Sequence, residues 1–205
     1  MSVKTDNQSE KPNLTKMPSF SIKLAGTDDI NAIIDIQEKT WEPTYRDILS
    51  SEQIEYMFEK IYSYDALKKS MLEDKQQFLL LYSEGAPIGF AAVSEAGPEQ
   101  YKLQKIYLLP SSQGTGAGKY LLKSAEDYVK SLGGNKMILN VNKYNQAKSF
   151  YEKMNYKVIR EEDIPIGPYW MNDYILEKEL SQADTCWSCF IFLIFLFWLF
   201  SPCIG

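Results

Sequence analysis

The apolar positions of this chain change period several times, and each change marks an element. Residues 20–24, FSIKL, alternate apolar and polar, the two-residue period of a half-buried strand. With Thr27 or Asp28 as the cap, Ile30, Ile33, Ile34 and Trp41 then recur at helical spacing. Pro43 is expected to break that helix, because proline has no N–H to donate and crowds the preceding turn. Ser50 and Gln53 form a capping-box pair ahead of a second helix whose inner face carries Ile54, Met57, Phe58 and Ile61. A third, short helix is expected over 65–73. Residues 77–82 read as an apolar strand, 83–87 (SEGAP) as a turn, and 88–96 as the hairpin partner. Gly97-Pro98 turns the chain again into a strand over 101–109, so three successive strands form an antiparallel meander.

The last of these strands ends at Pro110 and two serines. Glycines follow at 114, 116 and 118, and a helical pattern starts at once through Ala117, Leu121, Leu122, Ala125, Tyr128, Val129 and Leu132. Gly133-Gly134 is its C-terminal signal. Residues 137–141 predict a buried strand. Asn145 is expected to cap a helix with Ala147, Phe150, Tyr151 and Met154 inward. A strand over 156–160, a loop over 163–168 and a last strand over 169–179 complete the pattern. Strand–helix–strand after the meander permits a parallel crossover between the strands holding Ile106 and Ile138. The prediction is an α/β fold over residues 20–180: one domain, a mixed central sheet, helices on both faces.

The glycine run carries the first chemistry. At a helix N-terminus the leading N–H groups lack internal partners, and the peptide dipoles favour an anion by about 0.3–1 kcal/mol. Glycines let that backbone approach an oxygen-rich group closely. A phosphate cradle is the functional reading, and a tight ligand-free turn is the bland one. No Lys-Ser/Thr follows the last glycine and the spacing is not GxGxxG, so neither the P-loop nor the dinucleotide fingerprint applies.

The residues from Gln113 to Gly118, QGTGAG, match the Q/R-x-x-G-x-G/A signature of the GNAT N-acetyltransferase superfamily. Residues 145–156, NQAKSFYEKMNY, resemble its N-x-x-A-x-x-F-Y-x-K-x-G-F segment, with one residue fewer between Asn145 and Ala147 and with Asn155-Tyr156 where Gly-Phe is usual. Asn tolerates a left-handed backbone nearly as well as Gly. The chain therefore resembles that superfamily over roughly residues 20–180. With a WxxxY pattern early on and an aromatic last strand, it is similar to bacterial spermidine/spermine N-acetyltransferases. The resemblance implies the GNAT fold and acetyl-CoA as cosubstrate. It makes Tyr151 the acid that protonates the coenzyme A thiolate and Asn145 a contact of the pantetheine arm. It gives the backbone of Ile106, Tyr107 and Leu108 to pantetheine. It gives the loop of Gln113, Gly114, Thr115, Gly116, Ala117, Gly118 and Lys119 to the cofactor, with the amides of 114–119 on the pyrophosphate.

Charge narrows the acceptor. With 22 Lys and Arg against 27 Asp and Glu, the net charge of −5 argues against nucleic acid and suits a cationic small molecule. The chain has no histidine, so a general base must be a carboxylate, a tyrosine or a water. Trp41, Tyr45, Tyr169, Trp170 and Asp173 are the substrate candidates, since aromatic faces and carboxylates hold alkyl-ammonium chains. Glu42, Glu161, Glu162 and Asp163 supply the negative field or the base, or form a solvated rim. The expected activity is acetyl transfer to a primary amine, a polyamine among the candidates. The alternatives are acetylation of a protein α-amine or lysine, and a silent acetyl-CoA-binding module tethered by its tail.

Both ends differ from the domain. Residues 1–19 are polar with two prolines and no signal-peptide core, so a mobile arm and a cytoplasmic start are expected. From 185 to 205 there is no charged residue, and 190–200 (FIFLIFLFWLF) is wholly apolar. As a helix, residues 186–205 would cover about 30 Å, roughly one hydrocarbon core. The tail 181–205 reads as a membrane anchor making contact through 186–205, as an accidental extension, or as a packed core element. Cys186, Cys189 and Cys203 all lie there, so no cysteine nucleophile is available to the domain. One CxxC without histidine is too thin for a zinc site, and no metal is expected. The oligomeric state stays open, a homodimer included.

Overall fold

A computed structural model describes residues 19–180. The expected arm up to residue 18, the hydrophobic tail at 181–205 with its three readings, and all three cysteines lie outside the described residues. A seven-stranded sheet in the order β1-β2-β3-β4-β5-β7-β6 forms the centre. Its strands are β1 (Phe20–Ala25), β2 (Gln77–Ser83), β3 (Ala86–Gly97), β4 (Gln100–Leu108), β5 (Lys136–Asn142), β6 (Lys157–Ile166) and β7 (Tyr169–Glu179). The helices are α1 (Ile30–Tyr45), α2 (Ser51–Tyr62), α3 (Tyr64–Leu72), α4 (Ala117–Ser131) and α5 (Ala147–Lys153). All neighbouring strands pair antiparallel except β4 and β5, which the α4 crossover makes parallel.

The alternation of each strand splits the core in two. Leu79, Leu81, Ala91, Val93 and Leu103 face α4 and α5, where they meet Leu121, Leu122, Val129 and Tyr151. Phe78, Leu80, Phe90 and Ala92 face the opposite way, onto Ile30, Ile33, Trp41, Met57 and Leu67 of α1–α3. One polar group is buried within the first layer. Glu126 of α4 accepts hydrogen bonds from the Tyr156 hydroxyl at 3.1 Å and from Lys178 Nζ of β7 at 2.8 Å.

Three local expectations are corrected. Pro43 does not break α1, which runs on to Tyr45. Proline removes one bond near the helix end, but Trp41 is clamped on one side by Nε1–H donating to the Ile54 carbonyl at 2.9 Å. On the other side the Thr44 hydroxyl donates to the Thr40 carbonyl at 2.6 Å, and tertiary anchoring outweighs the lost bond. Thr27 and Asp28 do not cap the helix. They lie in a 3-10 turn, and it is the Asp29 carboxylate that accepts the Gly26 N–H at 3.1 Å. The expected loop over 163–168 is mostly strand: β6 continues to Ile166. Pro165 is compatible with that because β6 is the sheet edge, where a missing donor leaves no partner unpaired.

The feature that positions the site is a gap. β4 pairs with β5 only from Gln100 on Lys136 to Leu103 on Leu139. There β4 bulges: Val93 faces Leu103 and Ala92 faces Lys105, which leaves Gln104 as the extra residue. Bulges bend a strand and increase its twist. Beyond this one, β4 stays on β3 through Leu108 while β5 continues along β7 to Asn142. The sheet opens between the two strands, and the far half of β4 has main-chain groups on its open side without a strand partner.

Candidate functional site

The glycine loop sits at the mouth of this opening. Gly114 and Gly116 have φ of +76° and +89°, and Gly116 is the left-handed residue that starts α4. Nothing lies within 4 Å of where a Cβ would stand on either, so their backbones face open space. Among the described residues no acceptor takes the N–H groups of Gly114, Thr115, Gly116, Gly118 or Lys119. The Thr115 hydroxyl shapes the turn by donating to the Ser112 carbonyl at 2.7 Å. Gln113 and Lys119 are exposed beside the loop, and Ala117 is buried beneath it as the first residue of α4. Unpartnered N–H groups on a positive helix end fit a pyrophosphate. A groove of about 440 Å³ continues from Gly116 along α4, lined by Lys119, Lys123, Tyr120 and Phe20. Lys123 and the two rings were not anticipated from sequence; one helical turn from Lys119, Lys123 was findable on spacing.

Ile106, Tyr107 and Leu108 form the open edge of β4, and each is half-buried. Across the opening stands α5. Asn145 precedes it and accepts the Ala147 N–H through Oδ1 at 2.9 Å, and its amide N–H₂ has no hydrogen-bond partner among the described residues. Asn155 takes φ +69°, the left-handed turn that the Gly-to-Asn departure requires. Tyr151 is 7% exposed, wedged between Phe150 and Tyr156 at ring separations of 5.3 and 6.0 Å. Its hydroxyl has no hydrogen-bond partner among the described residues, and burial pushes its pKa up, with the neighbouring Tyr45 adding to the effect. The phenol therefore keeps its proton throughout the physiological range.

On the α1–α3 face of the sheet lies a tyrosine cluster. The Tyr45 and Tyr107 hydroxyls are 3.4 Å apart. Tyr62 stands edge-on to Tyr107 at 6.0 Å, and Trp41 packs on Tyr45 at 4.5 Å. Burial raises Tyr107 and Tyr45 well above the ordinary phenol range, and each also feels its hydroxyl neighbour. Tyr151 lies near enough to add a small effect to the shift at Tyr107, so the two layers each bring tyrosines toward the opening. Tyr62 and the side chain of Tyr107 are site groups that sequence reasoning missed. Both occupy inward positions of their elements, the one available signal.

The substrate candidates separate. Tyr45 joins the cluster. Asp173 lies on the same face of β7 as Met171, is 6% exposed, and is close enough to act on the charge of Tyr45. Tyr169 packs on Tyr56 of α2 at 5.5 Å, at the rim. Trp170 alternates to the other face and is 58% exposed, while its carbonyl accepts from Gln53 Nε2 at 3.1 Å. Trp41 is 3% exposed and backs the cluster as a packing post. Its other edge lines a groove of about 520 Å³ between α1 and α2, bordered by Glu38, Glu42, Glu55 and Glu59. Glu161 pairs with Lys143, and Asp163 accepts from Asn172 Nδ2 at 2.6 Å, so both serve the exposed edge of the sheet.

A cradle of unpartnered N–H groups on a helix N-terminus, a sheet opened beside it and a buried phenol are what an acyl-transfer centre fed by a phosphate-bearing carrier would need. Residues 45–167 match the family described as Acetyltransferase (GNAT) domain, and the chain belongs to that family of N-acetyltransferases. It is 27% identical over 166 residues to a spermidine N(1)-acetyltransferase of Thermoplasma acidophilum, covering 78% of this chain and 98% of that protein. The crystal structure of PaiA N-acetyltransferase from the same organism, in complex with coenzyme A, superimposes with a TM-score of 0.67. The two are 28% identical, over 78% of this chain and 99% of that one. The ribosomal-protein-S18-alanine N-acetyltransferase of Escherichia coli shares the fold alone, at 18% identity and a TM-score of 0.61, over 82% of this chain and 98% of that one.

Proposed function

We propose that this enzyme transfers an acetyl group from acetyl-CoA to a primary amine, and that the amine belongs to a polyamine of the spermidine type. The observation that carries the first part is the Tyr151 hydroxyl, buried and unpartnered in the opening beside a cradle of free N–H groups. Acetyl-CoA brings the thioester that the amine attacks. The N–H groups of 114–119 would hold its pyrophosphate, the open edge of Ile106, Tyr107 and Leu108 the pantetheine arm, and Asn145 Nδ2 would add a contact. Tyr151 holds a proton at its hydroxyl for the departing sulfur. Its own high proton affinity is matched because burial raises that of the thiolate as well.

The second part rests on charge and on the spermidine-acetylating relative. An alkyl ammonium near pKa ~10.4 must lose a proton at a cost of about 4.6 kcal/mol at pH 7, so the acceptor face needs a proton acceptor, and a carboxylate there would also hold the cation. Asp173 supplies one beside aromatic rings. The glutamates of the α1–α2 groove stand behind Trp41, which favours a substrate carrying more than one positive charge. The test is thiol release from acetyl-CoA by the full chain with spermidine, free lysine or a pool of short peptides. The kcat/KM for spermidine is expected to exceed the others at least tenfold. Preference for the peptides would overturn the polyamine reading.

A further inference from the structure

Asp173 is the anomaly of the site. Its Oδ2 accepts one long hydrogen bond, 3.5 Å from Asn140 Nδ2, and its Oδ1 is buried with no partner among the described residues. A buried carboxylate oxygen without a donor is costly, and native folds rarely keep one without a use for it. Lys102 of β4 is near enough to act on its charge, yet the two form no ion pair among the described residues. The orphan oxygen thus has an unmet demand for a donor, which an ammonium group entering through the opening between β4 and β5 would satisfy.

Its place in the sheet says which cation. Asp173 pairs with Asn142 at the end of β5 and with Glu162 of β6. That end of β5 is the edge that β4 has left. Tyr151 reaches the opening from the α4–α5 layer, whereas Asp173 faces the α1–α3 layer with Tyr45. The amine adds to one face of the thioester carbonyl and needs a proton acceptor there, while the sulfur expelled from the tetrahedral adduct needs a proton donor beside it; a carboxylate and a phenol on separate sides of the opening divide those two tasks.

We propose that Asp173 is the proton acceptor for the attacking amine, its free Oδ1 receiving the ammonium group; this rests on the amine-acetylation reading above. The substrate ammonium passes a proton to Asp173, and the freed lone pair forms the C–N bond. The C–S bond breaks with its electron pair on sulfur, and that sulfur takes the Tyr151 proton. The nitrogen sheds its second proton, Tyr151 is reprotonated, and one proton is released to solvent overall. The charged and polar groups facing Asp173 are Lys102 from β4, Asn140 from β5, Glu162 from β6 and Tyr45 from α1. Burial outweighs the others and raises the carboxyl above its ordinary range, with Asn140 and Lys102 pulling down and Glu162 pushing up. That brings it closer to the amine whose proton it takes.

The experiment compares the wild-type full chain with Asp173→Asn and Asp173→Glu, using spermidine across pH 6–10. Asp173→Asn is expected to lower kcat about 100-fold or more while coenzyme A affinity stays unchanged. Its rate should then climb close to tenfold per pH unit as free amine accumulates, whereas the wild type levels off and Asp173→Glu recovers part of kcat. In the wild type without acetyl-CoA, the Asp173 carboxyl carbon, followed by NMR, should titrate high, and spermidine should lower that midpoint. A kcat within threefold of wild type with a parallel pH profile would overturn the assignment, and so would a carboxyl signal indifferent to spermidine. If the wild type acetylates a different amine, the polyamine reading falls and the same comparison with that amine decides Asp173. If no amine is acetylated, both fall.

Discussion

Alanine at Gly116 and alanine at Gly118 should move this protein in opposite directions. Gly116 sits at φ +89°, where a side chain costs about 1–2 kcal/mol. For a domain of this size each kcal/mol is worth about 2–4 °C, so Gly116→Ala should lower the melting temperature by about 2–8 °C. Gly118 lies inside the first turn of α4, and a Cβ there would meet only the Phe150 ring, at 3.9 Å, an ordinary contact. Alanine is the better helix former by up to about 1 kcal/mol, less in a first turn, so Gly118→Ala should raise the melting temperature by about 1–2 °C. Affinity should follow a different rule. Distorting the turn at Gly116 misaims N–H groups meant for pyrophosphate; losing one charge-assisted bond of about 1.5–3 kcal/mol weakens coenzyme A about 10- to 150-fold. Gly118→Ala keeps its N–H in place, so binding should stay within about threefold, in keeping with a signature that admits Gly or Ala there. Calorimetric titration with coenzyme A and thermal melts of both variants read all four quantities. Unchanged affinity in Gly116→Ala would reduce the loop to a turn and refute the cradle.

Two further outcomes follow from buried charges. Burial lowers the pKa of Lys105 from 10.5 to about 8, with the Asp74 charge opposing that shift and the Lys102 charge reinforcing it. Its charge therefore costs the folded state roughly 3 kcal/mol below pH 8, a penalty that fades as pH rises toward 10.5. Lys105→Met gives up the 2.7 Å bond to Gln76 Oε1 and should still stabilise the fold by about 1–2 kcal/mol at pH 7 in urea melts, with the gain gone near pH 10. Asp173 is the mirror case: its raised folded pKa means that the ionised form destabilises the fold above that pKa. Asp173→Asn should therefore raise the melting temperature at neutral pH while it removes activity, and the gain should shrink as pH falls through the carboxylate range.

The order of elements was legible because each switch from two-residue to helical period coincides with a turn signal; β7 and the start of α4 fall where the pattern puts them. Pro43 and Pro165 misled for one reason. Proline is a local penalty, and the sequence does not state that Trp41 is clamped to α2 or that β6 is an edge. The glycine loop, Tyr151 and Asn145 were legible as residues because two motifs carry them. Their relation was not. The opening depends on one extra residue, Gln104, whose bulge turns β4 away from β5, and no composition or period marks a bulge there. The tyrosine cluster and the orphan oxygen of Asp173 arise from long-range packing between α1, β4 and β7. A solvated aspartate and a buried, unpartnered one look alike in a sequence.

Replacing Tyr151 by Phe removes one hydroxyl that has no partner among the described residues and keeps the ring between Phe150 and Tyr156. Thiol release from acetyl-CoA in the presence of spermidine should fall about 100-fold, with the melting temperature and coenzyme A affinity unchanged. Turnover within threefold of wild type, under the same conditions, would contradict the placement of the reaction in the opening between β4 and β5.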